Sequence, residues 1–135
     1  MIVVDTNILA YLYLPGDQTD EVKNLLKADP DWAAPMLWRS ELMNILCTYM
    51  RVKGLPLSSC LEIFELADEL MNERTFVTSP LKVLEVAERT GCSGYDSEFL
   101  ALAEELQSKL VTYDTGLLSR AATVAFSPAN LGEER

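Results

Sequence analysis

The sequence contains no histidine in its 135 residues. This absence excludes imidazole as a general acid or base, the serine and cysteine nucleophile schemes that depend on it, and zinc sites built on histidine. The 21 Asp and Glu side chains are then the abundant reactive groups. Because carboxylates in number without histidine favour hard divalent cations, Mg²⁺ or Mn²⁺ is the metal that this composition predicts.

Cysteine is also scarce, and the three cysteines, Cys47, Cys60 and Cys92, form no C-x-x-C pair. Their odd number predicts reduced thiols in a cytoplasmic protein. No apolar run approaches the roughly 18 residues of a membrane span, so no membrane association is expected. The first five residues lack the basic start and cleavage site of a signal peptide and are typical of a buried strand.

The remaining composition is that of one globular domain, with 49% hydrophobic and 24% charged residues. We assign residues 1–126 to this domain and predict a flexible tail over residues 127–135. The net charge is −10, and the basic residues are few and scattered. A surface of this charge is unfavourable for binding nucleic acid through phosphates.

Short apolar segments alternate with amphipathic ones along the chain. Strands are predicted at residues 2–5, 32–34, 76–78, 110–112 and 123–126. Helices are predicted at residues 7–14, 18–28, 36–53, 57–71, 81–90 and 95–106, with a last one ending near residue 121. This alternation predicts an α/β protein with three layers, a central parallel sheet with helices on both faces. Ligands of such sheets bind at the carboxyl ends of the strands.

Four carboxylates occupy the ends of these elements. Asp5 ends the first strand, and Asp114 follows the strand at 110–112. Asp96 lies in the first turn of one helix, and Glu41 lies early in the longest helix. Each also has an ordinary structural interpretation, as a helix cap, a turn residue or a solvated side chain.

The residues around these acids resemble the PIN-domain ribonucleases, especially the VapC-type toxins of toxin–antitoxin pairs. The resemblance covers residues 1–126, and its blocks occur in the order of the family. These blocks are Val3-Val4-Asp5-Thr6-Asn7, Trp38-Arg39-Ser40-Glu41-Leu42-Met43-Asn44, Ser93-Gly94-Tyr95-Asp96-Ser97-Glu98 followed by Ala101-Leu102-Ala103, and Leu110-Val111-Thr112-Tyr113-Asp114.

The resemblance implies a PIN-like fold whose acidic pocket binds Mg²⁺ or Mn²⁺ and cuts single-stranded RNA. It makes Asp5 and Asp96 the principal metal ligands and Asp114 a ligand, either directly or through water. Glu41 is then a further ligand or the group that positions the attacking water. Carboxylates held close together repel one another, and a cation relieves that repulsion.

A second set of residues is assigned supporting roles. Asn7 holds Asp5 or a phosphate oxygen, or else caps a helix. Thr112 donates a hydrogen bond to a ligand carboxylate from the end of its strand. Glu98 is a candidate fifth acid, although on a regular helix it faces away from Asp96.

RNA contacts are expected from three basic residues of the long helix. Glu41, Asn44, Thr48 and Arg51 form one polar stripe along it. Arg51 and Lys53 lie at its far end, where they would meet phosphates, and Arg39 is a further candidate.

The resemblance also implies partners and leaves alternatives open. VapC-type toxins pair with a small VapB-type antitoxin whose tail enters the acidic pocket, and they commonly form homodimers. One alternative is a catalytically inactive PIN-like binding module. Another is a phosphoaspartate enzyme, although the haloacid-dehalogenase pattern requires Asp where Asn7 stands.

Overall fold

The structure, a computed structural model, describes residues 1–132. Five parallel strands form one sheet in the order β3-β2-β1-β4-β5. The strands are β1 (Ile2–Val4), β2 (Trp32–Pro35), β3 (Thr75–Phe76), β4 (Leu110–Val111) and β5 (Ala125–Phe126). The predicted α/β class and parallel sheet are confirmed.

Helices connect every pair of consecutive strands. They are α1 (Thr6–Tyr13), α2 (Thr19–Ala28), α3 (Leu37–Lys53), α4 (Leu57–Met71), α5 (Pro80–Thr90), α6 (Gly94–Glu105) and α7 (Thr115–Arg120). Because parallel crossovers are right-handed, the connections from β1 out to β3 place α1–α4 on one face. The connections that return across the sheet to β4 and β5 place α5–α7 on the other. Packing of α6 on β1, β2 and β4 agrees with this arrangement.

β1, β2, β4 and β5 are buried because both faces of the sheet are covered, and the edge strand β3 is half-buried. β1 and β2 are buried along their whole length, as the apolar sequences IVV and WAAP require. The largest buried side chains, Trp32, Trp38, Phe99 and Phe126, fill the space between sheet and helices. Cys60 on α4 and Cys92 in the loop before α6 are buried, whereas Cys47 is exposed on α3, contrary to the apolar helix position that its spacing predicts.

The sequence predicts the elements well and their ends less well. The final strand is two residues long rather than four, and β3 begins at Thr75 rather than at Phe76. These strands lie at the two edges of the sheet, where only one neighbour sets their length.

The predicted tail begins with a defined structure. Pro128–Asn130 form a one-turn 3₁₀ helix that packs on α2, and Lys109 Nζ donates to the carbonyl of Leu131 at 2.7 Å. Flexibility of residues 127–132 remains a prediction, and residues 133–135 lie outside the described part. None of the helices in residues 1–132 is long and apolar enough to cross a membrane.

Candidate active site

The sheet has one point at which its connections diverge. The chain leaves β1 towards helices on one face and leaves the neighbouring β4 towards helices on the other. A crevice forms outside the carboxyl ends of two such strands, where ligands of open α/β sheets bind. Asp5 is the first residue after β1, and Asp114 is the third residue after β4. The topology alone therefore places two of the predicted acids at this crevice.

All four predicted acids line one cavity at this position. It has a volume of about 500 Å³ and is lined by Asp5, Thr6, Asn7, Leu37, Ser40, Glu41, Asn44, Ile45, Tyr95, Asp96 and Asp114. We call it the acid pocket. The structure thus brings Glu41 from α3 and Asp96 from α6 to the two strand-end acids, although 36 and 91 residues separate them from Asp5 along the chain.

Local hydrogen bonds fix Asp5 at the floor of the pocket. The backbone N–H of Thr6 donates to Asp5 Oδ1 at 2.8 Å, which caps α1. The buried hydroxyl of Thr112 donates to Asp5 Oδ2 at 2.8 Å. Both carboxylate oxygens therefore have a protein donor, and the predicted supporting contact of Thr112 is present.

A hydrogen bond from Thr6, the residue after Asp5, holds Glu41 in the same pocket. The buried Thr6 hydroxyl donates to Glu41 Oε1 at 2.7 Å, so the start of α1 and α3 are connected beside the pocket. The place of Thr6 in the Asp-Thr-Asn block makes its hydroxyl, like that of Thr112, a candidate from the sequence for holding a carboxylate, and its partner in the structure is Glu41.

Helix caps position the two remaining acids. The N–H of Asp96 donates to the N-cap hydroxyl of Ser93 at 3.1 Å. Asp114 caps α7 by accepting from the N–H of Leu117 at 2.9 Å, and its own N–H donates to Thr112 Oγ1 at 3.0 Å. Thr112 is therefore shared between the segments that carry Asp5 and Asp114.

Burial and like charge raise the pKa of three of these acids. Burial raises the pKa of Asp5, and the carboxylates of Asp96 and Asp114 raise it further. The pKa of Glu41 is raised by burial and by the nearby acids, Asp5 first among them. Burial and Asp114 raise the pKa of Asp96, although Ser93 and Arg120 oppose the shift. The pocket is a site of concentrated negative charge.

This chemistry fits a hard divalent cation. Oxygen ligands on several carboxylates are what Mg²⁺ and Mn²⁺ prefer, and like-charge repulsion makes cation binding favourable. Within residues 1–132, no three acidic or thiol side chains are already drawn together as a closed ligand cluster. The acids surround a shared cavity instead.

Some of the predicted supporting residues line the acid pocket, and others lie outside it. Asn7 lines the pocket, and the cap of α1 is Asp5 rather than Asn7. Glu98 lines a neighbouring apolar groove instead, where its Oε1 accepts from the Thr78 hydroxyl at 2.8 Å. Ser40 and Tyr95 also line the acid pocket, and the sequence analysis assigns neither a role. Each is the immediate chain neighbour of a pocket acid.

The predicted RNA-contacting residues lie in different settings. Arg51 and Lys53 are exposed at the end of α3, with Lys53 over the ring of Tyr49. Arg39 forms an ion pair with Asp68 and lies against the rings of Trp38 and Phe64. Arg39 lines a separate cavity and is not among the residues that line the acid pocket.

Comparison with models of known protein families shows which family the chain belongs to. The PIN domain matches residues 2–124. The chain belongs to the PIN-domain family. No curated protein sequence matches it significantly.

Solved structures share the fold at low sequence identity. PAE2754 from Pyrobaculum aerophilum is 24% identical with a TM-score of 0.75, covering 96% of this chain and 92% of its own. FitAcB from Neisseria gonorrhoeae is 19% identical with a TM-score of 0.72, covering 97% and 100%. A toxin–antitoxin complex from Klebsiella pneumoniae is 17% identical with a TM-score of 0.71, covering both chains fully. At these identities the likeness establishes the PIN fold.

Proposed function

We propose that this PIN-domain protein is a metal-dependent endoribonuclease. The observation that carries the proposal is the convergence of Asp5, Glu41, Asp96 and Asp114 on one cavity at the point where the sheet connections diverge. Capping and turn formation explain three of these acids singly. They do not explain why four acids from separate segments line one cavity in a histidine-free chain.

The chemistry assigned to the pocket is hydrolysis of an RNA phosphodiester. Asp5, Asp96 and Asp114 would hold Mg²⁺ or Mn²⁺, and Glu41 would complete the set or orient the attacking water. A bound divalent cation supplies a more acidic water and stabilises charge on the phosphate, which replaces the missing imidazole. Thr112 and Thr6 keep Asp5 and Glu41 oriented through the hydrogen bonds described above.

A toxin role belongs to the same proposal. One of the similar structures is a toxin–antitoxin complex, and the sequence blocks resemble VapC-type toxins. The expected partner is a small VapB-type antitoxin, and the expected assembly is a homodimer in the cytoplasm. The alternative of an inactive PIN-like binding module is favoured only by the net charge of −10.

Cleavage of a total-RNA pool tests this function. Wild-type protein is expected to produce discrete fragments with Mn²⁺ and none with EDTA. Asp5→Asn should abolish the fragments while the protein remains folded, and Glu62→Gln on α4 is a matched control outside the pocket. Fragments that persist in EDTA or in Asp5→Asn would overturn the proposed mechanism. Absence of cleavage together with absence of Mn²⁺ binding would favour the inactive module.

A further inference from the structure

A hydrogen bond from an arginine connects two of the helices that carry pocket acids. Asp96 lies in the first turn of α6, and Asp114 is the N-cap of α7. The last residue of α7 is Arg120, whose Nη1 donates to the carbonyl oxygen of Gly91 at 2.9 Å. Gly91 ends α5 and lies two residues before Ser93, the N-cap of α6. The arginine therefore joins α7 to the turn from which α6 begins.

Local hydrogen bonds build this turn between α5 and α6, residues 91–93, which we call the 91–93 turn. Its first residue is a glycine with a φ of +73°, a conformation that commonly ends helices. The N–H of Cys92 donates to Thr90 Oγ1 on α5 at 3.2 Å, and the hydroxyl of Ser93 caps α6. These bonds connect the turn to the helices on either side of it. The hydrogen bond from Arg120 connects it to a third helix, α7.

Helix α7 keeps Asp114 and Arg120 at a fixed separation. The helix has six residues, and Asp114 caps it by accepting from the N–H of Leu117. At 1.5 Å of rise per residue, the Cα atoms of Asp114 and Arg120 lie about 9 Å apart along the helix axis. The 91–93 turn, and with it the start of α6, is therefore held at a set distance from Asp114.

Arg120 also acts on Asp96 through its charge. The pKa of Asp96 is raised by burial and by Asp114, and it is lowered by the Ser93 hydroxyl and by the Arg120 guanidinium. The side chain of Arg120 is exposed, and salt screens exposed charges that are more than about 10 Å apart. Arg120 therefore lies beside the acid pocket, although it is not one of the residues that line it.

We infer that Arg120 is a positioning residue of the acid pocket. It holds the start of α6 through the Gly91 carbonyl, so that Asp96 and Asp114 can share one divalent cation. The role of the cation rests on the proposed function, whereas the hold on α6 does not. Arg120 itself neither coordinates the cation nor contacts the RNA.

The charge and the hydrogen bond of Arg120 have opposite effects on a bound cation. The charge repels Mn²⁺, so its loss alone would strengthen Mn²⁺ binding. The hydrogen bond holds the helix that carries Asp96, so its loss would weaken Mn²⁺ binding. Salt separates the two effects, because at about 1 M ionic strength charges are screened beyond roughly 3 Å while a hydrogen bond within the protein persists.

Arg120→Gln tests the inference, and Arg89→Gln is the matched control. Arg89 also joins two helices, since it pairs with Glu104 on α6, but it does not line the acid pocket. Calorimetric titration in about 1 M salt should show the Kd for Mn²⁺ raised roughly 2- to 10-fold in Arg120→Gln, the effect of losing one hydrogen bond, and unchanged in Arg89→Gln. Arg120→Lys keeps the charge and an N–H donor and should retain most of the wild-type affinity.

Amide hydrogen exchange tests the hold on α6 in metal-free protein. Exchange over residues 92–97 should be roughly 2- to 10-fold faster in Arg120→Gln than in wild type, since one hydrogen bond that closes this segment is lost. Arg89→Gln should exchange as wild type does over the same residues, and amides of β1 should exchange equally in all three proteins. Equal exchange over residues 92–97 in all three would overturn the inference.

Cleavage kinetics separate positioning from RNA contact. The Mn²⁺ concentration for half-maximal cleavage should rise in Arg120→Gln, while the KM for RNA at saturating Mn²⁺ stays at the wild-type value. A raised KM for RNA with unchanged Mn²⁺ affinity would show that Arg120 binds a phosphate of the RNA, and it would overturn the inference. Mn²⁺ binding by Arg120→Gln that is stronger than in wild type would also overturn it, since the charge alone would then act.

These outcomes are distinguishable from failure of the proposed function. A wild type that binds no Mn²⁺, together with faster exchange over residues 92–97 in Arg120→Gln, would remove the metal site and support the hold on α6. A wild type that binds Mn²⁺ and cuts RNA, with Arg120→Gln equal to it in Mn²⁺ affinity and in exchange, would overturn the inference and leave the nuclease intact.

Discussion

At the residue scale, the pocket acids combine two roles that the sequence presents as alternatives. Asp5 and Asp114 cap the helices that follow them, and Asp96 follows the cap of Ser93. These caps do not remove the carboxylates from the pocket. They fix the positions of the Asp5 and Asp114 carboxylates, as a preorganised ligand set would require.

The raised pKa values predict a specific pH dependence of the metal-free protein. A carboxyl whose pKa is raised in the folded state stabilises the fold below its unfolded pKa, 3.8 for Asp, and this stability is lost as pH rises through the folded pKa. Metal-free wild type should therefore lose more stability between pH 4 and neutrality than Asp5→Asn/Asp96→Asn does. Urea unfolding across pH measures this difference. Equal pH profiles would show that the pKa values of these two acids are not raised in the folded protein.

Thr112 is expected to act on the metal through Asp5. Its buried hydroxyl donates to Asp5 Oδ2 and accepts from the N–H of Asp114. Thr112→Val keeps the shape but leaves both groups without this partner, so affinity for Mn²⁺ should fall roughly 10–100-fold. Calorimetric titration measures the loss, and Thr123→Val, at an exposed threonine, should bind as wild type does. Unchanged affinity in Thr112→Val would remove its supporting role.

At the element scale, the periodicity of apolar residues predicts every helix because each helix buries one face against the sheet or another helix. α4 is predicted to the residue, since its apolar spacing and its flanking residues agree. The position of Glu41 beside Asp5 can be predicted only in part from the sequence. Spacing places Glu41 early in α3, but the contact that joins α3 to the start of α1, next to Asp5, is the Thr6–Glu41 hydrogen bond, which no sequence period encodes.

The N-cap of α6, which positions the backbone of the pocket residue Asp96, is expected to stabilise the folded protein. Ser93→Ala removes the hydroxyl that accepts from the Asp96 N–H. The free energy of unfolding should fall by about 1 kcal/mol, as for other serine caps. Chemical denaturation measures it, and Ser93→Asp, which keeps a capping oxygen, should recover most of the loss. A Ser93→Ala protein as stable as wild type would show that this cap contributes nothing.

At the scale of the whole molecule, the acids are distributed unevenly. Four line the acid pocket, and α4 carries four more without a base on that helix. Arg51 and Lys53 supply positive charge at the end of α3, on the helix that also carries Glu41. RNA that reaches the acid pocket along α3 would therefore meet phosphate-binding groups at one end of the helix.

The salt dependence of RNA binding tests this path. For single-stranded RNA, each lost phosphate contact reduces the slope of log affinity against log salt by about 0.7. Arg51→Ala/Lys53→Ala should weaken binding for all sequences alike and reduce the slope by up to about 1.4. Fluorescence anisotropy in Ca²⁺ provides the measurement, and Lys27→Ala on α2 is the control. An unchanged slope would place the RNA elsewhere.

Binding of a divalent cation by the four acids is the property on which the proposed function depends most directly. Calorimetric titration of metal-free protein with Mn²⁺ tests it without any assumption about the RNA. Saturable binding is expected in wild type and in Glu62→Gln, and loss of binding is expected in Asp5→Asn and in Asp96→Asn. Equal binding by all four proteins, or none by wild type, would contradict the assignment of the acid pocket as the metal site.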